Sequence, residues 1–312
     1  MRTIRGWRGL RPEDKGACVA FGSFDGVHLG HQRVIRLAAA AASELGAPLG
    51  VVSFEPHPWR WFHPDDPPFL LTSPRQQAER FAGLGVERSY VLPFDDHLAG
   101  LSAEEFAGEA LAEGLGVRHV VVGFDASFGR GRTGDGDLLQ ALGERLGFGV
   151  TIAPPLADEE GRKLSSTAAR QALQAGDPET AAEILGRPFA IEGVVSEGRK
   201  LGRTLGFPTA NVALGEYVRP RLGIYATRTR LPDGRVVAGV SSIGENPTVG
   251  AVDARLEVYL FDFDEDLYGQ RLETELISFL RPERKFDSVE LMVEQIGADA
   301  REARALLGRS GA

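Results

Sequence analysis

Short apolar runs alternate with longer helical segments over the first half of the chain. The runs predict buried strands at residues 18–21, 49–54, 90–92, 119–122 and 150–153. The segments between them predict helices at 32–45, from 74, from 102 to about 114, at 137–146 and at 166–175. Repeated strand–helix units favour a doubly wound parallel sheet, which binds its ligands at the carboxyl ends of the strands.

The pattern changes near residue 186, where helical spacing gives way to strand-like runs. These runs lie at residues 189–195, 224–230, 236–240, 256–261 and 272–279, with turn signals such as Pro232-Asp233-Gly234 between them. Strands at this spacing predict a small β-barrel. A final helix is expected over about 288–307, with Ser288 as its N-cap. We therefore expect an α/β domain over residues 1–185 and a barrel domain with a terminal helix over residues 186–312.

Composition narrows the class of protein. The length of 312 residues favours two domains, and 43% hydrophobic with 25% charged residues is typical of soluble globular proteins. Cys18 is the only cysteine, which excludes an internal disulfide and a multi-thiolate metal site. The sequence has no apolar run of about 18 residues and its start lacks the apolar core of a signal peptide, so we expect a cytoplasmic protein without a membrane partner. We expect a monomer or a weak homo-oligomer.

The net charge limits the partners. At −9 the chain is too acidic for nucleic acid to be a main partner, because binding to a phosphate backbone requires a basic surface. Nucleotides remain compatible, since they need only a local pocket with basic groups or backbone N–H donors.

The segment Phe-Gly-Ser-Phe-Asp-Gly-Val-His-Leu-Gly-His, residues 21–31, carries the most specific chemistry. It places His28 and His31 where a buried strand turns into a helix. Unpaired backbone N–H groups and the positive end of the helix dipole favour phosphate at such a point. A glycine-rich turn that carries two histidines by chance is the alternative interpretation.

Three further segments follow predicted strands or open predicted helices. Ser53-Phe-Glu-Pro-His-Pro58 either places polar groups at the ligand edge or forms a proline-containing turn. The loop from Gly123-Phe-Asp125 to Gly134 has four glycines and two arginines, which suit either a lid over an anionic ligand or a flexible surface loop. Leu164-Ser-Ser-Thr167, with Arg170 one turn later, offers hydroxyl, N–H and guanidinium groups to phosphate.

Together these motifs resemble the adenylyltransferase module of bacterial bifunctional riboflavin kinase/FAD synthetases. The second half resembles the riboflavin kinase module of the same family. It does so through Gly206-Phe-Pro-Thr-Ala-Asn211, Gly223-Ile-Tyr-Ala226, Ser242-Ile-Gly-Glu-Asn-Pro-Thr248, Leu256-Glu-Val258, Asp266-Leu-Tyr-Gly269 and Leu280-Arg-Pro-Glu-Arg-Lys-Phe286. The motifs span nearly the whole chain in the family's order.

The resemblance implies an enzyme that phosphorylates riboflavin to FMN with ATP and then adenylylates FMN to FAD. In the first module it assigns His28 and His31 to catalysis and to the ATP phosphates, and it adds Gly22, Phe24, Asp125, Ser166, Thr167 and Arg170 as further ATP or phosphate contacts. In the second module Glu257 is the expected general base. Thr209 and Asn211 are the expected ligands of Mg²⁺. The expected nucleotide and flavin contacts of the kinase are Gly198, Lys200, Gly202, Arg203, Gly206, Thr209 and Asn211.

Four positions depart from the family's usual residues: Ala126, Ser127, Lys163 and Ala169. They affect the expected rate and flavin contacts of the first module more than its reaction type. One alternative is a nucleotidylyltransferase for another substrate, which leaves the kinase-like motifs unexplained. Another is a flavin-binding protein that has lost one or both activities, against which the complete set His28, His31, Thr209, Asn211 and Glu257 argues.

Overall fold

The computed structural model describes residues 1–157, 161, 163–197, 206–248 and 251–309. The chain forms two compact units, the first from Met1–Asp66 and Pro74–Leu164 and the second from Pro67–Ser73 and Ser165–Ala312. The short segment Pro67–Ser73, here called the strap, belongs to the second unit although first-unit residues flank it on both sides. Residues 165–185, on the amino-terminal side of the predicted domain boundary, also group with the second unit.

The first unit is built on a six-stranded sheet in the order β1-β4-β3-β2-β5-β6. All neighbouring strands are parallel, as predicted. From β2 the chain adds β3 and β4 on one side and then β5 and β6 on the other, so the strand order reverses beside β2. Open α/β sheets bind ligands at such a switch point. The strands are β1 (Arg2–Arg5), β2 (Cys18–Phe21), β3 (Leu49–Glu55), β4 (Arg88–Pro93), β5 (His119–Gly123) and β6 (Gly149–Ala153).

Helices cover both faces of this sheet. Successive residues of β2 point to opposite faces: Val19 and Phe21 join one hydrophobic cluster, while Cys18 and Ala20 join the other. The helices are α1 (Leu29–Leu45), α2 (Pro58–Phe62), α3 (Pro74–Gly83), α4 (Asp96–Gly100), α5 (Ala103–Glu105), which continues as a π-helix over Phe106–Leu115, and α6 (Gly136–Leu146). A capping box of Ser102 and Glu105 opens α5, the helix predicted from residue 102.

The second unit contains a six-stranded antiparallel sheet in the order β7-β12-β9-β10-β11-β8. A bridge between Ser196, just beyond β7, and Asn211 of β8 brings the two ends together, so the sheet nearly closes into the predicted barrel. The strands are β7 (Phe189–Val194), β8 (Ala210–Ala213), β9 (Gly223–Arg230), β10 (Val236–Thr248), β11 (Ala251–Leu260) and β12 (Arg271–Pro282). The helices are α7 (Ser166–Ala175), α8 (Pro178–Leu185) and α9 (Val289–Arg309).

The terminal helix α9 covers the outside of the barrel. Ala303 and Leu307 pack against Ala226, Val240 and Phe261. Ser288 caps α9, because its hydroxyl accepts a hydrogen bond from the N–H of Leu291 at 3.2 Å. No helix within the described residues is both long enough and apolar enough to cross a membrane.

Candidate functional site

The turn after β2 has an unusual backbone. Phe24 and Val27 adopt positive φ angles of 55° and 42°, and Gly26 adopts 82°. A positive φ is costly for a β-branched residue such as Val27 and is characteristic of functional sites. The Nε2 group of Gln32 donates a hydrogen bond to the carbonyl of Val27 at 3.1 Å, which helps hold the turn. The turn therefore leads into α1 in a conformation that the surrounding residues impose.

His28 is the N-cap of α1. Its Nδ1 atom accepts a hydrogen bond from the backbone N–H of His31 at 3.3 Å, and the two imidazole rings stack with centroids 3.6 Å apart. Because Nδ1 is the acceptor, the neutral imidazole of His28 carries its proton on Nε2. His28 can therefore donate a hydrogen bond through Nε2 while it caps the helix.

Phe24 and Gly30 hold the histidine pair in place. The ring of Phe24 is buried and contacts His31 edge-on, with centroids 5.2 Å apart. A Cβ atom at Gly30 would lie 2.9 Å from Cε1 of His28 and 3.2 Å from the carbonyl oxygen of Leu164. Phe24 thus acts on the site through packing. Gly30 was not singled out from the sequence, although the motif contains it, because the close approach involves the distant residue Leu164.

The loop after β5 lies beside this turn, because β5 is the neighbour of β2 at the switch point. Its residue Asp125 forms an ion pair with Lys163, with 2.6 Å between Oδ2 and Nζ. The same Nζ lies 4.7 Å from the centroid of the Phe124 ring. The predicted residue Asp125 is therefore at the ligand edge of the sheet with a cationic partner.

Aromatic side chains extend the same edge after β3, where the sequence has Ser53-Phe-Glu-Pro-His-Pro58. Trp59 and Phe62 of α2 are exposed, and Phe62 packs edge-on against Phe94, which follows β4. Nη1 of Arg60 donates to the carbonyl of Asp66 at 2.6 Å and so fixes the segment after α2. This edge of the first unit therefore offers exposed aromatic surface near the histidine turn.

Ser166, Thr167 and Arg170 belong to α7 and so to the second unit. The hydroxyl of Ser165 caps this helix by accepting a hydrogen bond from the N–H of Ala168 at 3.2 Å. Nε of Arg170 donates to the carbonyl of Phe69 in the strap at 2.7 Å. Arg170 therefore holds the strap, a role that the sequence did not suggest.

In the barrel, Glu257 is on the outward face of β11. Its neighbours Leu256 and Val258 are fully buried on the opposite face, as the strand pattern predicts, while Glu257 is partly exposed. The register pairs Glu257 with Asn211 of β8 and with Ser242 of β10. Directly paired residues have Cβ atoms about 5 Å apart on the same face, so Glu257 and Asn211 are side by side.

A second carboxylate, that of Glu283, lies near Glu257. Burial raises the pKa of the Glu283 carboxyl, and the negative charges of Glu257 and Glu245 raise it further. A Cβ atom at Gly244 would meet Oε1 of Glu283 at 2.5 Å, so the side chain of Glu283 lies against β10. The described residues contain no group of three or more His, Cys, Asp or Glu side chains that could bind a metal ion by themselves.

Part of the predicted kinase site is described and part is not. Asn211 is buried, and Thr209 and Gly206 precede β8, with Gly206 at a φ of 84°. The predicted contacts Gly198, Lys200, Gly202 and Arg203 lie outside the described residues.

Comparisons with known proteins identify the family of each half of the chain. The model of the FAD synthetase family matches residues 10–168, and the model of the riboflavin kinase family matches residues 185–307. A bifunctional riboflavin kinase/FMN adenylyltransferase from Pseudomonas fluorescens is 44% identical and covers 99% of both chains. Proteins of the same name from Escherichia coli K12 and Bacillus subtilis are 38% and 39% identical, over 99% and 94% of this chain and 98% and 93% of theirs.

A solved structure shares the fold over almost the whole chain. It is titled a macrolide-efflux protein from Streptococcus pneumoniae, and it matches with a TM-score of 0.86 and 32% identity over 97% of this chain and 98% of that one. Both family models and the curated relatives agree on the two activities, each with its own domain. The chain therefore belongs to the bacterial family of bifunctional riboflavin kinase/FMN adenylyltransferases, the enzymes that make FMN and then FAD.

Proposed function

We propose that the two reactions have separate sites: adenylyl transfer at the His28 turn of the first unit, and phosphorylation of riboflavin at Glu257 on the barrel. The observation that carries the first assignment is the imposed backbone of the turn, which opens α1 at the switch point of the sheet with His28 as its cap. The second rests on the pairing of Glu257 with Asn211.

Adenylyl transfer needs hydrogen-bond donors to the phosphate rather than a general base. An oxygen of the FMN phosphate, already ionised near neutral pH, attacks the α-phosphate of ATP while pyrophosphate leaves, so no proton has to be removed from the nucleophile. The negative charge that develops is stabilised by groups already pointing at it. Nε2–H of His28 and the N–H groups at the start of α1 are such donors, with His31 stacked behind His28.

The aromatic surface near the turn suits the flavin of FMN. An isoalloxazine ring is planar and largely apolar, and exposed indole and phenyl rings give it a face or an edge to pack on. Trp59 and Phe62 provide this surface in α2. We propose that this edge orients FMN, with its phosphate towards the histidine turn.

The kinase reaction requires a base and a means of holding ATP. The terminal hydroxyl of the ribityl chain must lose its proton as it attacks the γ-phosphate. We propose that Glu257 accepts it, and the pairing of Glu257 with Asn211 supports this role. The hydroxyl of Thr209 and the amide oxygen of the buried Asn211 are hard oxygen donors that fit Mg²⁺, which uses few protein ligands and keeps several of its waters. Bound there, Mg²⁺ would neutralise charge on the ATP phosphates.

Single substitutions test whether the two reactions use separate sites. Glu257→Gln removes the base and keeps the side-chain shape, so we expect FMN formation to fall by about 100-fold or more and FAD formation from FMN to persist. His28→Asn keeps a capping oxygen but loses Nε2–H, so we expect FAD formation to fall by about 100-fold and FMN formation to persist. Both activities are measured by separating the flavins after incubation with ATP and Mg²⁺.

Glu265→Gln is the control, because this glutamate lies in an exposed ion pair with Arg235. It should leave both reactions unchanged. If Glu257→Gln and His28→Asn each abolish both activities, the sites are not separate. If Glu257→Gln forms FMN at the normal rate, another group is the base.

We further propose that both reactions require Mg²⁺, that the enzyme works in the cytoplasm, where ATP is made, and that it is a monomer or a weak homo-oligomer. Loss of both activities in EDTA and their recovery with added Mg²⁺ would support the first point. Sedimentation across a range of protein concentrations addresses the last.

A further inference from the structure

The ion pair between Lys163 and Asp125 connects two loops at the ligand edge of the first unit. Nζ and Oδ2 are 2.6 Å apart, and each side chain remains about half exposed, at 51% and 58%. Exposed ion pairs of this kind add little to stability, about 0–1 kcal/mol. The ion pair therefore contributes little to the stability of the fold.

The pair lies close to the histidine turn. Lys163 immediately precedes Leu164, whose carbonyl oxygen lies against Gly30 at the start of α1. Asp125 follows β5, the strand next to β2. Both ends of the ion pair are therefore attached to segments that border the site proposed for adenylyl transfer.

A carboxylate at this edge is unfavourable for the substrates. ATP and FMN are both polyanions, and an uncompensated negative charge at the edge of their site repels them. Nζ of Lys163 also lies 4.7 Å from the centroid of the Phe124 ring. This cation–π contact stabilises the position of the lysine beside Asp125.

We propose that Lys163 is a positioning residue for adenylyl transfer: through its contact with Asp125 it neutralises the carboxylate and so allows the polyanionic substrates to bind. This inference rests on the proposed location of adenylyl transfer at the His28 turn. Lys163 acts through Asp125, so its importance depends on whether residue 125 carries a charge.

A double-mutant cycle on the full chain tests this dependence. With Asp125 present, we expect Lys163→Met to raise the KM for ATP in FAD formation by about tenfold and to change kcat less. In the Asp125→Asn background the same lysine substitution should raise KM by less than about twofold. Lys163→Arg, which keeps the cation, should retain most of the binding. The tenfold effect should shrink at high salt, because the pair is exposed.

Arg235→Met is the matched control, since Arg235 also pairs with exposed carboxylates, in the second unit. It should leave the KM unchanged, and kinase activity measured on each preparation checks that the chain is folded. An unchanged KM for Lys163→Met would overturn the inference, as would an equal rise in both backgrounds, which would mean that the lysine contacts the substrate directly. An unmutated enzyme that forms no FAD, or a His28→Asn variant that forms it normally, would instead contradict the proposed site.

Discussion

Residue 30 has no room for a Cβ atom beside the histidine turn. The position that a Cβ would occupy is 2.9 Å from a ring carbon of His28 and 3.2 Å from a backbone oxygen of Leu164. The ring can move away from such an atom more easily than the backbone can. A side chain at this residue would therefore displace the imidazole from the geometry in which it caps α1.

We expect Gly30→Ala to lower FAD formation by at least about tenfold, because it would displace His28, the proposed catalytic residue, and a shift of even about 1 Å can be costly. FMN formation should be unaffected. Gly83→Ala is the control, since its Cβ would meet nothing within 4 Å and its φ is not positive. Initial rates of both reactions on each variant make the comparison. Normal FAD formation by Gly30→Ala would show that His28 tolerates the shift or does not act there.

The residue types of the site could be read from the sequence, but several of their roles could not. His28, His31 and Glu257 stand in motifs whose spacing indicates their chemistry, and they remain predictions to be tested. The pairing of Lys163 with Asp125 joins residues far apart in the chain. Arg170 was expected at phosphate, and its bond to Phe69 depends on where the strap lies. Local pattern carries no signal for such contacts.

Helix α9 is attached to the barrel through two bidentate ion pairs that differ in burial. Arg281 of β12 donates to both oxygens of Asp299 at 2.9 and 2.7 Å, and this carboxylate also accepts from Gln295 at 2.7 Å. Arg304 binds Asp262 in the same bidentate way at the surface. Asp299 is 3% exposed, so its charge depends on these partners far more than that of Asp262 does.

We expect Asp299→Ala to destabilise the second unit by about 3–5 kcal/mol, because it leaves the guanidinium of Arg281 without its buried partner. Asp262→Ala should change the unfolding midpoint little, since water replaces an exposed partner. Denaturant unfolding of both variants, followed with the kinase activity, measures the difference. Equal effects would mean that burial does not decide the strength of these contacts.

At the level of elements, strands and helices with a clear hydrophobic pattern were predicted correctly, whereas several short elements were missed. The parallel sheet, the barrel and the terminal helix were predicted and are confirmed. Strand β8 was missed, because its four residues include the polar Asn211 and follow Pro208, whereas the equally short β2 is wholly apolar and was predicted. Strand β1 is equally short and was missed as well. The π-helical continuation of α5 depends on hydrogen bonds that residue pattern does not specify.

Over the whole molecule, the strap makes the second unit depend on residues encoded within the first. The N–H of Leu70 donates to the carbonyl of Glu216 at 2.9 Å, and the N–H of Val218 donates to the carbonyl of Leu70 at 2.8 Å. The hydroxyl of Ser73 donates to the buried carboxylate of Glu192 in β7. No sequence pattern indicated that the strap belongs to the second unit, because its contacts join residues more than a hundred positions apart.

Two serine substitutions should therefore affect different units. We expect Ser73→Ala to destabilise the barrel by about 1–3 kcal/mol, since it removes a donor from a buried carboxylate. Ser102→Ala, which removes the N-cap of α5, should destabilise the first unit by about 1 kcal/mol. The temperature at which kinase activity is lost should fall for Ser73→Ala, and the temperature at which FAD formation is lost should fall for Ser102→Ala. The reverse pattern would contradict the assignment of the strap to the second unit.

The strap also limits how this protein can be divided or recombined. A cut at 164/165, where the second unit resumes after the strap, would yield a kinase fragment without its strap and an adenylyltransferase fragment with a spare one. The kinase fragment would lose the partners of Glu216, Val218 and Glu192. Gene fusion, domain exchange or expression of a single activity therefore requires the strap to be supplied together with residues 165–312. The second unit is therefore not a contiguous piece of the chain, and a fragment that starts after residue 73 lacks part of it.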